Sequence, residues 1–320
     1  MTLHRHLLSK LPLLLAIGVI FHTSCGTGNN GRTSPSDRTG NDDWLAGLAQ
    51  DIATATADEP GQCGVAIIID NKDTVAFNNR ADYPMMSMFK LHEALAVCAT
   101  LDTDGISLDS LLSIKREELN AGTWSPMLKK YPDGNLQLPV SELLRYLLVD
   151  SDNNASNLLF DKIISPAETD SVVQTIIPGM EFKIEFTESE MQRDHGRSYS
   201  NRTSPLAYAA LVNRVFTDNV VSREKQNFIK QCMADCNTGM ERIAAPLAKH
   251  PEVSFAHRTG SGYVNERGEV IAVNDGGYVS LPSGRNYSIA VFVKDYAGDQ
   301  EDAERLIACI SETVYNHLAD

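Results

Sequence analysis

Ser87 and Lys90 stand three apart in Ser87-Met88-Phe89-Lys90, at the head of a helical pattern that continues through Leu91, Leu95, Ala96 and Cys98. Residues three apart on a helix share a face, so the hydroxyl and the amine lie side by side. The first turn of a helix adds free backbone N–H groups and the positive end of the dipole. A serine placed there, beside a lysine that can take its proton when the surroundings favour the neutral amine, suits nucleophilic catalysis. The spacing alone equally describes a capping serine beside a solvent-facing lysine. A second polar group, Ser151-Asp152-Asn153, follows the apolar helical run Leu143–Val149. It reads either as part of a site or as a helix cap supplied by Asp152 or Asn153. A third, Arg258-Thr259-Gly260 with Ser261 and Gly262, falls at the end of a strand, where glycines let backbone approach a ligand closely.

The elements that would position these groups follow from periodicity. Asp42–Ala57 has helical spacing of Trp44, Leu45, Leu48 and Ile52 with an acidic start. Gly64–Asp70 and Thr74–Phe77 read as strands joined by a turn at Asn71-Lys72-Asp73. Three later runs, Val253–His257, Val270–Leu281 and Tyr287–Val293, also read as strands, and Glu301–Leu318 closes the chain as an amphipathic helix. The stretch from Ser87 to Met240 looks mostly helical. This predicts an α/β (α+β) fold: a five-stranded antiparallel sheet flanked by terminal helices, with an all-helical domain inserted between the second and third strands. The active site is expected in the cleft between the two lobes. The boundaries are a folded domain over 43–320, its α/β lobe from 43–84 and 241–320, and its helical lobe from 85–240.

In this order the three polar groups resemble the signature of the class A serine β-lactamases, relatives of the penicillin-binding proteins. Further segments agree. They are Tyr83-Pro84-Met85-Met86 before the serine, Gly122-Thr123-Trp124-Ser125-Pro126, Ala272-Val273-Asn274-Asp275 and Ile289-Ala290-Val291-Phe292. The resemblance spans residues 43–318. It implies that Ser87 is the acylated nucleophile, Lys90 its proton-transfer partner, and Ser151 the relay to the departing lactam nitrogen. It implies that Asn153 holds the substrate's acylamino group and Trp124 stands at the cleft mouth. Thr259 and Ser261 would bind the substrate carboxylate, and the N–H groups of Ser87 and Ser261 would form an oxyanion hole. Arg258 departs from the family's usual lysine; both are cations, but the planar fork of arginine is not interchangeable with an ammonium. Arg242 resembles a second arginine aimed at the same carboxylate, or else is an exposed helix arginine.

The same resemblance implies a deacylating base in the pattern E-x-x-L-N. Glu188 fits it, with Met191 for the leucine and Gln192 for the asparagine at a water-holding place. Glu190 would put Arg193 and Asp194 at those places, where a charge would have to pack as an anchor. The implied activity is hydrolysis of the β-lactam amide through a serine acyl-enzyme, with resistance to the antibiotic as its consequence. Met191, Gln192 and Tyr199–Pro205 lean towards the cephalosporin-hydrolysing branch, with penicillins also expected. The competing activities are a DD-peptidase and an antibiotic-sensing domain that stays acylated.

The formal charge of −14 makes nucleic acid an unlikely partner. The expected partner is a small β-lactam, and the chain is expected to be a monomer without metal or organic cofactor. Arg5 and Lys10 precede an apolar run from Leu11 to Phe21, too short to span a bilayer, and then His22-Thr23-Ser24-Cys25-Gly26. That reads as a signal peptide over 1–25 of lipoprotein type, with Cys25 lipidated. The product would be a periplasmic protein anchored to the membrane. A flexible tether is expected over 26–42. The remaining cysteines, Cys63, Cys98, Cys232, Cys236 and Cys309, are odd in number and scattered, so buried free thiols are expected. Cys232 and Cys236 are placed on one helix.

Overall fold

The computed structural model describes residues 35–319, with side chains from Asp43 onward. Cys25 and the export segment lie outside the described residues, as do residues 26–34 of the tether. The first helix, α1, spans Pro35–Ala55 and so begins inside the segment read as tether.

Five strands form one antiparallel sheet: β1 Gln62–Ile69, β2 Asp73–Phe77, β3 Ser254–Ser261, β4 Val270–Ser280 and β5 Asn286–Tyr296. Their spatial order is β2-β1-β5-β4-β3. The expected sheet is therefore present, with β3 longer than expected: Arg258, Thr259 and Gly260 lie within it and not beyond its end. Between β2 and β3 come the helices α2 Lys90–Asp104, α3 Pro126–Lys130, α4 Val140–Val149, α5 Asn153–Lys162 and α6 Pro166–Ile176. They are followed by α7 Glu188–Arg193, α8 Pro205–Thr217, α9 Arg223–Ala234 and α10 Ala244–Leu247, and the chain ends on α11 Gln300–Leu318. Cys232 is on α9, but Cys236 lies past its end, so the two do not share a helix.

β1 is apolar along most of its length because both faces of the sheet are covered. On one face Val65, Ile67, Ile289 and Val291 pack with Leu48 and Ile52 of α1 and Ile307 and Ile310 of α11. On the other, the paired residues Ala76, Ala66, Ala290 and Gly276 form a row of small side chains across four strands. Helix α8 settles on that row so closely that a Cβ at Gly276 would come within 2.8 Å of the Tyr208 ring. The next residue in the row, on the edge strand, is Arg258. Period-two alternation thus turns Arg258 towards the helical lobe and His257 towards the opposite face.

Candidate active site

Ser87 lies in a single 3-10 turn, Met86–Phe89, that runs directly into α2. The turn is entered through Met86 at φ 47°, a left-handed conformation unfavourable for a methionine. Its surroundings hold it there. The Asn274 side chain of β4 donates to the carbonyl oxygens of Pro84 (2.8 Å) and Met85 (3.3 Å). Gly260 of β3 lies against the same turn, where a Cβ would meet the Met85 oxygen at 2.4 Å. Only glycine lets the edge strand come this near. Ser151 is likewise left-handed, with φ 59°. Strain of this kind persists where surrounding contacts over-determine the backbone, and it clusters at functional sites.

Lys90 is fully buried and is the hub. Its Nζ donates to Ser87 Oγ (3.1 Å), Ser151 Oγ (3.3 Å), the Ser151 carbonyl oxygen (3.0 Å) and Asn153 Oδ1 (2.6 Å), and lies 2.9 Å from Glu188 Oε1. Ser87 Oγ in turn donates to Glu188 Oε1 at 3.3 Å. Burial lowers the lysine's pKa; the neighbouring Glu188 carboxylate opposes that shift and the Arg258 cation adds to it. The net direction is downward, towards an amine that can accept a proton.

Asp152 caps α5 by accepting from Ala155 N (2.9 Å), and it also accepts from Met127 N (2.7 Å) and the Ser125 hydroxyl. Of the two capping readings, Asp152 is the cap. Asn153 is left for the site, donating also to Thr123 Oγ1 (2.9 Å). Asn153 N donates to the Trp124 carbonyl oxygen (3.0 Å), and the Trp124 indole is half exposed above, donating to the Asp150 oxygen.

Glu188 and Glu190 separate cleanly. Glu190 accepts from Thr187 N (2.9 Å) and Thr187 Oγ1 (3.0 Å), a capping box at the start of α7. Glu188 points to Ser87 and Lys90, and Met191 is buried as an anchor. Gln192 makes contacts that the sequence did not suggest. Its amide accepts from Asn120 Nδ2 (2.7 Å) and donates to the Gly122 oxygen (2.7 Å), both in the loop before Trp124. It ties that loop to α7, and its second N–H and second lone pair are left over for a water.

Arg258 is fully buried, with one terminal nitrogen on Ser151 Oγ and the other 3.3 Å from Thr238 Oγ1. The Thr238 and Thr259 hydroxyls are 2.6 Å apart. Arg242 is not exposed, as one reading of it required. It is buried behind β3, donating to the oxygens of Gly260 (3.1 Å) and Asn274 (2.8 Å) and to Ser261 Oγ (2.5 Å), and pairing with Glu304 of α11 (3.1 Å). It meets the site from behind, through the Gly260 oxygen and the Ser261 hydroxyl. Gly262 N donates to the Ala272 oxygen, and Gly260 pairs with Asn274. Because hydrogen-bonded and non-hydrogen-bonded positions alternate along an antiparallel ladder, the Ser261 N–H turns away from β4 to the free edge.

Sequence reasoning missed several residues that hold this site. Thr238 joins Arg258 to Thr259. Asn157 Oδ1 accepts from Ser189 N at 3.0 Å. Asn201 binds the backbone of Glu185 and Phe186. Asn157 was findable, since it stands four residues after Asn153 on one helical face. Thr238 and Asn201 sit in irregular segments that carry no periodic signal. Among the described residues no group of three or more His, Cys, Asp and Glu side chains could hold a metal ion.

A serine held between a buried lysine and a glutamate, in the cleft between a five-stranded sheet and a helical lobe, defines the class A serine β-lactamases. Residues 47–318 match the model of the β-lactamase enzyme family. A β-lactamase of Phocaeicola vulgatus is 50% identical over 271 residues, covering 85% of this chain and 84% of that protein. The solved TLA-3 extended-spectrum β-lactamase superposes with a TM-score of 0.83 at 31% identity, over 86% of this chain and 100% of its own. A class A β-lactamase structure from Bacteroides cellulosilyticus gives 0.81 at 30% identity, covering 86% of this chain and 98% of that one. The chain belongs to this family, and it is a β-lactamase.

Proposed function

We propose that this enzyme opens the β-lactam ring by acylating Ser87 and is freed by water activated at Glu188, with cephalosporins and penicillins as substrates. One observation carries the reading: the Ser87 hydroxyl lies within hydrogen-bond reach of two bases at once, Lys90 at 3.1 Å and Glu188 at 3.3 Å. In acylation the hydroxyl proton leaves for this pair as Oγ attacks the lactam carbonyl. The oxyanion that forms faces the N–H groups of Ser87 and of Ser261, the latter aimed off the free edge of β3. Ser151 Oγ accepts from both Lys90 and Arg258. A hydroxyl that accepts from the Lys90 amine and the Arg258 cation keeps its own proton for a third partner, here the departing lactam nitrogen. Asn153 and Trp124 border the acylamino side, while Thr259, Ser261 and Arg258 border the carboxylate side. In deacylation Glu188 takes a proton from water, which attacks the ester. Relatives named as extended-spectrum β-lactamases, TLA-3 and PER-1 of Pseudomonas aeruginosa, the latter 31% identical over 84% of this chain, support a reading with more than one class of β-lactam as substrate.

The test is turnover of a chromogenic cephalosporin with mass spectrometry of the protein. Glu188→Gln is expected to release about one product per enzyme and then stall with the adduct on Ser87, because its amide cannot accept the water's proton. Glu190→Gln is expected to turn over as the parent does, and Ser87→Ala to form no adduct. A stalled Glu190 variant beside an active Glu188 variant would assign the base to the wrong carboxylate.

A further inference from the structure

Cys236, His257 and Asp275 meet on the face of β3 turned away from Ser87. His257 Nδ1 lies 2.9 Å from Asp275 Oδ1, and the other Asp275 oxygen accepts from Ile243 N at 3.1 Å. The ring is thereby fixed in place and held against an anion. Cys236 sits in the turn after α9, 6% exposed, with Sγ 3.4 Å from Thr238 Oγ1. A cavity of about 230 Å³ opens beside them, lined by Cys236, His257, Met240, Leu247 and His250. The other described cysteines lack this setting: Cys63, Cys98 and Cys232 are buried, and burial pushes each thiol up, while Cys309 is exposed.

We propose that Cys236 is a reactive thiol, activated by the His257–Asp275 pair, that takes small oxidants of the hydroperoxide class and thereby lowers β-lactam hydrolysis. Burial alone would push the thiol up. His257 and Arg258 of β3 and the Thr238 hydroxyl act the other way and bring it down to about 6. Burial likewise lowers His257, but Asp275 and the thiol raise it, and the net upward direction favours a protonated ring beside the thiol. Tyr208 of α8, buried nearby, stays a neutral phenol because burial raises it. The chemistry then balances. A thiolate lone pair attacks one peroxide oxygen, an S–O bond forms, and the O–O bond breaks. The hydroxide that leaves takes the His257 proton to become water. Sulfur is oxidised by two electrons to the sulfenic acid and peroxide is reduced. The added oxygen lands beside Thr238, whose hydroxyl is bound to Thr259 and Arg258, so the carboxylate end of the substrate site is disturbed without contact to Ser87.

The experiment uses the folded full chain. Iodoacetamide labelling with peptide mapping, over about pH 5.5 to 9, compares Cys236 with exposed Cys309 as an internal reference. Cys236 is expected to be labelled with a pH midpoint at least about one unit below that of Cys309. Hydrogen peroxide is expected to slow hydrolysis by the parent, with recovery in dithiothreitol and a sulfenic acid trapped at Cys236 by dimedone. Cys236→Ser is expected to keep its rate through the same treatment. Labelling of Cys236 only after denaturation, a midpoint equal to that of Cys309, or equal peroxide loss in parent and Cys236→Ser would each overturn the proposal.

Discussion

At the residue scale, Arg258 touches two parts of the reaction that a lysine tip would serve with a single nitrogen. Its guanidinium reaches Ser151 with one terminal nitrogen and Thr238 with the other. The sequence suggests a carboxylate binder, for which loss of the side chain would raise KM. The contact with Ser151 adds a second consequence, because Ser151 is the proposed proton relay. Arg258→Ala is therefore expected to lower kcat as well as raise KM, reducing kcat/KM roughly ten- to hundredfold, the scale of a lost charge-assisted hydrogen bond. Arg258→Lys is expected to recover KM better than kcat. Steady-state kinetics on a cephalosporin decide it; an unchanged kcat in Arg258→Ala would mean that the Ser151 contact has no part in catalysis.

At the element scale, α7 is only six residues long and cannot be stable on its own. It carries Glu188 in a fixed position because other elements hold it. Thr187 and Glu190 cap it, Met191 anchors it in the core, Asn157 takes the Ser189 N–H, and Gln192 binds the Asn120–Gly122 loop. Just upstream, Asn201 accepts from the N–H groups of Glu185 (2.8 Å) and Phe186 (2.9 Å) and donates to the Phe186 oxygen (2.7 Å). Its own carbonyl oxygen accepts from Met85 N, next to the nucleophile's turn. Asn201→Ala leaves these backbone groups without partners, at a cost of about 1–3 kcal/mol for each one that stays buried. Deacylation is expected to suffer more than acylation, since Glu188 moves with this segment while Ser87 sits in the 3-10 turn that runs into α2 and Lys90 opens that helix. Stopped-flow traces are expected to show a preserved burst and a slower steady state; equal slowing of both phases would count against the link. The motif residues were legible because together, and in their order, they resemble the signature of the class A serine β-lactamases, and the strands were legible because their apolar runs are long. The supports of α7 were not, because a side chain that binds backbone far away in sequence leaves no period to read. Gln192 and Arg242 illustrate this: position suggested a water-holding place for one and the substrate carboxylate or solvent for the other, while the three-dimensional neighbours include Asn120 and Gly122 for the first and Glu304 with two carbonyls for the second.

At the scale of the whole molecule, α2 places two adjacent titratable residues, His92 and Glu93, in the core that joins the helical lobe to the sheet. The His92 ring packs against Phe182 and Tyr208, with centroids 5.3 and 5.8 Å away, and burial pushes it down to about 3. Glu93 accepts from the Ser156 hydroxyl at 2.7 Å, and burial pushes its carboxyl well above the usual range. Both are neutral in the folded protein at intermediate pH, and their effects on stability run in opposite directions. Below about pH 6.5 the unfolded chain protonates His92 while the folded one does not, so stability is lost as pH falls towards about 3. Above the ordinary carboxylate pKa of 4.5 the unfolded chain ionises Glu93 while the folded one does not, so stability is lost as pH rises. Between these two ordinary values the slopes oppose one another, each about 1.4 kcal/mol per pH unit. His92→Phe keeps an aromatic ring in the cluster and removes one slope. Packing the larger ring shifts stability by a pH-independent amount, so the informative quantity is the change with pH. Relative to the parent, the variant is expected to lose about 2–3 kcal/mol of unfolding free energy between about pH 4.5 and 6.5. Urea unfolding of both proteins across that range measures it, and parallel pH profiles would show that His92 takes up no proton on unfolding.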